Sequence, residues 1–172
     1  VIQDLRTIWD ALLSPQDRLS WLSLLRAPWN ALTLKELERL STLAGESSLW
    51  DALREQAASN PLSFDDEHQL RVKRSVALFE EAYQWRGRLP LVDVLRNVWE
   101  RSGAQRYHND ARAQVAASQF FRLLSELDEA DLLRSSQALE EALADAWLDG
   151  DAGVRGGEVA FGSTRELRGG EV

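Results

Sequence analysis

Apolar residues recur every three or four positions along most of this chain, and the runs are closed off by prolines, glycines and helix-capping residues. That period puts side chains on one face of an α-helix, whereas a half-buried strand needs strict alternation. No alternating stretch occurs before residue 150. The chain therefore reads as all-α, an irregular array of about seven to nine helices followed by a glycine-rich tail.

The helices can be placed from their start and stop signals. Ile2, Leu5, Ile8, Trp9 and Leu12 make one face of the first. Ser14 is a suitable N-cap for the second, with Pro15 at the first helical position and Asp17 near the positive end of the dipole. Leu19, Leu22 and Leu25 predict its buried stripe, widened by Trp21 and Leu24. Pro28 pushes Ala27 out of the α region and stops it. Thr33 and Glu36 spell a capping box ahead of Leu34, Leu37 and Leu40, and Gly45 closes that helix.

Further on, Ser47 or Ser48 opens a short helix through Trp50 and Leu53, and Asn60-Pro61 breaks the chain. A long helix is expected from Ser63 to Gly87. Another runs from Pro90 to Gly103 with the stripe Leu91, Val94, Leu95, Val98 and Trp99. Asn109 or Asp110 caps the next, with Val115, Phe121 and Leu124 facing inward, and a last helix is expected over 136–148. Seven of the ten glycines fall in residues 150–172, which therefore cannot hold a helix. Residues 149–172 read as a linker, a disordered end or a strand of a sheet elsewhere, appended to a helical domain of residues 1–148.

Trp29 is the odd residue in this scheme. It follows Pro28, on the corner between the leucine helix and the capped helix, inside a 21-residue stretch (20–40) holding two tryptophans and seven leucines. A wedge that fills the corner is the expected role.

Composition narrows function mainly by exclusion. There are no cysteines, so disulfides, thiolate nucleophiles and cysteine-type zinc sites are ruled out. Their absence fits a reducing cytosol. No apolar run is long enough to span a bilayer, and no membrane association is expected. The chain has no G-x-x-x-x-G-K-[ST], G-x-S-x-G or H-E-x-x-H motif. With no nucleophile–base pair or phosphate loop to assemble, independent catalysis is not expected, and no catalytic residue is assigned. His68 and His108 read as surface or satisfied-core residues. The run Asp65-Asp66-Glu67-His68 resembles a metal cluster on paper, but acids are favoured at any helix N-terminus, so no metal is assigned. Glu80-Glu81 and Glu140-Glu141 read as solvated helix faces, since helical neighbours point about 100° apart.

Charge is the one electrostatic feature with functional content. The net charge is −8, which argues against a free-standing nucleic-acid binder. Yet residues 1–70 carry 6 basic and 11 acidic side chains, residues 71–112 carry 9 and 5, and residues 113–172 carry 5 and 12. A basic middle lies between acidic ends. Arginine outnumbers lysine eighteen to two, a coding bias first and a phosphate-binding signal second. Arg71, Lys73, Arg74, Arg86, Arg88, Arg101 and Arg106 are the candidate DNA-contacting residues. They are interleaved with Trp85, Trp99, Tyr107 and His108, the mixture a surface tracking a phosphate backbone uses. The competing reading pairs these cations with the abundant acids.

The stretch LLSPQDRLSWLSLLRAPWNALTLKELERL, residues 12–40, resembles a segment of bacterial UvrD-type superfamily 1 DNA helicases of the RecB/AddA-like group. That segment reads L-x-x-P-x-D-R-L-A-W-L-x-x-L-R-A-P-W-C-G-L-x-L-x-D-L and lies in the helical 2B subdomain. The matching positions are Leu12, Pro15, Asp17, Arg18, Leu19, Trp21, Leu22, Leu25, Arg26, Ala27, Pro28, Trp29, Leu32, Leu34 and Leu37, with Trp21, Arg26, Pro28 and Trp29 its structural signature. Asn30-Ala31 stands where the family has Cys-Gly, which argues against a glycine-dependent turn. A weaker match extends over residues 1–148.

The resemblance implies a domain of a longer bacterial cytoplasmic protein, an ATP-dependent DNA helicase or exonuclease of double-strand-break repair. ATP and Mg²⁺ would belong to its motor domains, and no cofactor is implied for this chain. The implied partners are duplex or forked DNA, those motor domains and a nuclease subunit. The family motif T-I-H-K-A-K-G-L-E-F, which follows the helical insertion, is replaced here by the glycine-rich tail. A stand-alone acidic protein-interaction module built on the same scaffold is the alternative.

Overall fold

A computed structural model describes residues 1–129, 139 and 141–144. It is all-α, as expected. Eight helices lie within residues 1–129: α1 (Ile2–Leu13), α2 (Arg18–Arg26), α3 (Leu34–Ala44), α4 (Leu49–Ser59), α5 (Asp66–Trp85), α6 (Leu91–Arg101), α7 (Ala104–Tyr107) and α8 (Ala111–Glu129). Among the described residues there is no β-strand, only an isolated bridge between Arg86 and Leu89. No described helix is long and apolar enough to cross a membrane. The chain divides into two compact units, Val1–Ala117 and Ser118–Val172. The expected last helix and the glycine-rich tail fall largely outside the described residues, apart from helical residues 139 and 141–144.

Local signals set most boundaries. The Thr33–Glu36 capping box is complete: the Thr33 hydroxyl accepts from the Glu36 N–H, and the Glu36 carboxylate accepts from the Thr33 N–H. Ser48 caps α4, and Asn60 ends it in the left-handed conformation. Asp65, not Ser63, caps α5, its carboxylate accepting from the His68 N–H. Asp110 begins α8, accepting from the Ala113 N–H.

One cap was misplaced. Ser14 ends α1 and does not start α2. Asp17 is the N-cap, accepting from the Leu19 N–H at 3.0 Å and the Ser20 hydroxyl at 2.5 Å. A carboxylate that receives two donors outcompetes a hydroxyl three residues earlier. Pro15 sits in the turn, and its carbonyl accepts the indole N–H of Trp21 at 2.9 Å.

The first unit packs α1 against α2, α5 and α6, while α4 bridges α3 and α5. Leu5, Ile8, Trp9 and Leu12 are fully buried, so the face read for α1 is correct. Trp21 is the aromatic centre. It stacks on Trp50 with centroids 4.8 Å apart and meets Phe79 edge-on at 4.7 Å. Such pairs add about 0.5–1.5 kcal/mol each beyond area burial.

The stripe of α2 was misread: Trp21, Leu24 and Leu25 face inward, but Leu19 is 72 % exposed. Leu34 and Val115 are also exposed. The α2 face is rotated because Trp21, the largest side chain of that helix, takes the inward position. In the second unit, Phe120, Phe121, Leu124 and Leu127 of α8 are buried, as are Leu139 and Leu143.

Candidate functional site

Pro28 ends α2 as expected, leaving Ala27 extended at ψ 149°. The next four residues form a further turn, held by the Asn30 and Ala31 N–H groups donating to the Ala27 carbonyl at 2.9 and 2.7 Å. Ala31 takes φ 51°, the left-handed conformation. The turn therefore forms with alanine, not glycine, at this position. Its two hydrogen bonds hold alanine in a conformation that glycine adopts more easily.

This turn aims Trp29 and Asn30 in different directions. Asn30 is buried and knits α2 to α5: its amide donates to the Leu24 carbonyl at 2.9 Å, and its side-chain oxygen accepts from the Ser75 hydroxyl at 2.7 Å. Trp29 turns to the α6–α7 corner, where it meets Trp99 edge-on at 6.4 Å and Tyr107 at 6.4 Å. It is a wedge, but against α6 and α7 and not between α2 and α3.

A cleft of about 490 Å³ opens beside Trp29. Its walls are the Trp29–Asn30 turn, the α5 face bearing Arg71, Arg74, Ser75, Leu78 and Glu81, and the α6–α7 corner with Glu100, Arg101, Ser102, Gly103 and Arg106. Residues 71, 74, 75 and 78 follow the i, i+3, i+4, i+7 rule, so they share one face of α5. Gly103, at φ 86°, makes the sharp corner that brings Arg106 of α7 back towards Arg101 of α6.

Four of the seven candidate cations thus meet at one cleft: Arg71, Arg74, Arg101 and Arg106. They face two acids there, Glu81 and Glu100. Arg71 pairs with Glu67 and donates to the Asn30 carbonyl at 3.3 Å. Arg101 pairs with Glu81 at 2.7 Å and donates to Asn97 at 3.2 Å. Its guanidinium holds the Glu81 carboxyl below the usual carboxylate range, and the same contact raises Arg101. Arg74 and Arg106 are exposed and form no ion pair among the described residues.

The other three lie elsewhere. Lys73 is exposed on a different face of α5. Arg86 lies over the Tyr83 ring and donates to the Leu13 carbonyl at 3.3 Å, closing the end of α1. The Tyr83 hydroxyl donates to the Ala11 carbonyl at 2.8 Å, and burial pushes its pKa upward. Arg88 stands in the turn after Gly87.

Of the signature residues, Trp21 is in the core, Pro28 shapes the turn, and Arg26 lines a smaller cleft of about 270 Å³ with Gln3, Asp4 and Trp29. Arg18 donates to the Ser41 and Gly45 carbonyls at 2.7 and 2.9 Å, closing the C-terminal end of α3. Glu80 pairs with Arg54 at 2.9 Å, so each member of the Glu80-Glu81 run is matched with an arginine. His108 pairs with Asp4 at 2.7 Å and stacks on Trp99.

Asn30 and Ser75 are site residues that sequence reasoning passed over. The only signal was a polar side chain directly after Pro-Trp. Compared with known proteins, the chain matches no family model, no curated protein and no solved structure.

Proposed function

We propose that this chain is a helical accessory module that contacts DNA through the cleft beside Trp29, as the resemblance to a helicase 2B subdomain implies. ATP hydrolysis and strand separation would belong to motor domains outside the described helices, and break repair would be the setting. The carrying observation is that Arg71, Arg74, Arg101 and Arg106, from α5, α6 and α7, line one cleft with Trp29. Arg74 and Arg106 stand ready for phosphate oxygens, and the Trp29 and Tyr107 rings offer stacking surface. Binding of this kind is weak and independent of sequence, with dissociation constants of about 10⁻⁴–10⁻⁶ M at physiological salt.

Fluorescence anisotropy with a labelled forked duplex, run over a salt series, tests the reading. Affinity should fall steeply with salt, and R74A/R106A should lower the log–log salt slope by about two. If no anisotropy change appears at low salt, or if the double variant binds as well as the parent, the DNA role fails. The acidic interaction module is then the better reading. It is favoured by the Arg71–Glu67 and Arg101–Glu81 pairs, which satisfy half of the cleft's cations internally.

A further inference from the structure

Two helix caps converge on one histidine away from the arginine cleft. Glu36, in the first turn of α3, uses one carboxylate oxygen in its capping box with Thr33. Its other oxygen lies 2.8 Å from Nδ1 of His68. Asp65 uses one oxygen to cap α5. Its other oxygen lies 2.9 Å from the same Nδ1. The three donor atoms all fall within 4.8 Å of one another.

Two features favour a cation at this cluster. Glu36 is 9 % exposed and has no arginine or lysine partner among the described residues. A buried carboxylate without a full counter-charge is costly. His68 Nδ1 is shielded from solvent, yet neither close oxygen is aligned with it as a hydrogen-bond acceptor. Two carboxylate oxygens therefore crowd one ring nitrogen, at 2.8 and 2.9 Å.

We propose that Glu36, Asp65 and His68 form a binding site for a first-row divalent cation of the zinc class, which ties the start of α5 to the start of α3. One imidazole nitrogen with two carboxylate oxygens suits zinc, cobalt or nickel, whereas calcium and magnesium favour all-oxygen sites. Metal–ligand distances of about 2.0–2.2 Å put tetrahedral donors roughly 3.3 Å apart, so the two carboxylates need to withdraw by about half an ångström. The remaining coordination position falls to water. The caps are kept, because each carboxylate presents the oxygen that the cap does not use. By spacing, the sequence brings only Asp65 and His68 to one helix face. Glu36 supplies the third ligand, from another helix.

The test is titration of the untagged full chain with Zn²⁺ by calorimetry and with Co²⁺ by visible absorption, with no DNA present. One ion per chain is expected, together with a rise in melting temperature at saturating metal. The variants E36Q and D65N preserve the capping box and the N-cap, and H68Q removes the imidazole. Each should weaken binding at least about tenfold, since loss of even an outer-shell partner costs about 10- to 100-fold. Absence of saturable one-to-one binding in the parent overturns the proposal. So does parent-like affinity in E36Q or H68Q, which would place any bound ion elsewhere, for instance at His108 and Asp4.

Discussion

Ala31→Gly should stabilise this protein, although it removes a methyl group. Ala31 sits at φ 51°. The left-handed conformation costs an L-residue about 1–2 kcal/mol. Glycine adopts it freely but loses about 0.5–1 kcal/mol more backbone entropy on folding than alanine. The methyl group is only partly buried, so little packing is lost. Central values of the two leave a net gain of about 0.5–1 kcal/mol. For a chain of 172 residues this corresponds to a rise in melting temperature of roughly 1–4 °C. Thermal unfolding followed by far-UV circular dichroism reads the shift, and urea unfolding followed by tryptophan fluorescence gives the free-energy change directly. Ala31→Val is the opposite control, since a branched side chain at positive φ should cost more than alanine does. A neutral or destabilised A31G, or an A31V that melts with the parent, would refute the claim that this turn is strained.

Asn30→Ala should cost about 1–3 kcal/mol in urea unfolding, because the Leu24 carbonyl and the Ser75 hydroxyl both lose their partner. It should also weaken any DNA binding by loosening the α5 wall of the cleft. Trp21→Ala should cost about 3–5 kcal/mol, while Leu19→Ser should stay within about 0.5 kcal/mol, since one side chain is fully buried and the other is 72 % exposed. Equal effects from these two would show that the face of α2 is wrongly placed.

The pH dependence has a definite sign. The Glu81 carboxyl is held below its ordinary 4.5 by Arg101, so its contribution is present above pH 4.5 and fades as pH falls through the lower folded value. Glu81→Gln should therefore lower stability slightly at neutral pH and converge with the parent at low pH, which flattens the acid limb of a stability–pH curve; a steeper acid limb contradicts the assignment.

How far these features were legible follows from the range of the forces involved. Helix limits were read well where the controlling groups lie within four residues of one another. Thr33 and Glu36, Pro28 with Ala27, and Gly45 closing α3 are cases of this kind. Even the misplaced cap, Ser14 in place of Asp17, was a contest between neighbours. Which side of a helix is buried depends on the partner helix. Leu19, Leu34 and Val115 keep helical spacing and are nonetheless exposed.

The cleft required still longer range. The local excess of arginine was visible in the composition, but only packing separated Arg71, Arg74, Arg101 and Arg106 from Arg86, which closes the end of α1 instead. The Glu36–Asp65–His68 cluster joins two cap signals that were each plain in the sequence, while their meeting depends on how α3 and α5 are set against each other. By itself the sequence determined an all-α chain with most of its breaks, because periodicity and capping act through bonds a turn away. The tertiary structure alone decided which charges meet, because that is settled by helices burying their apolar faces against partners distant in the chain.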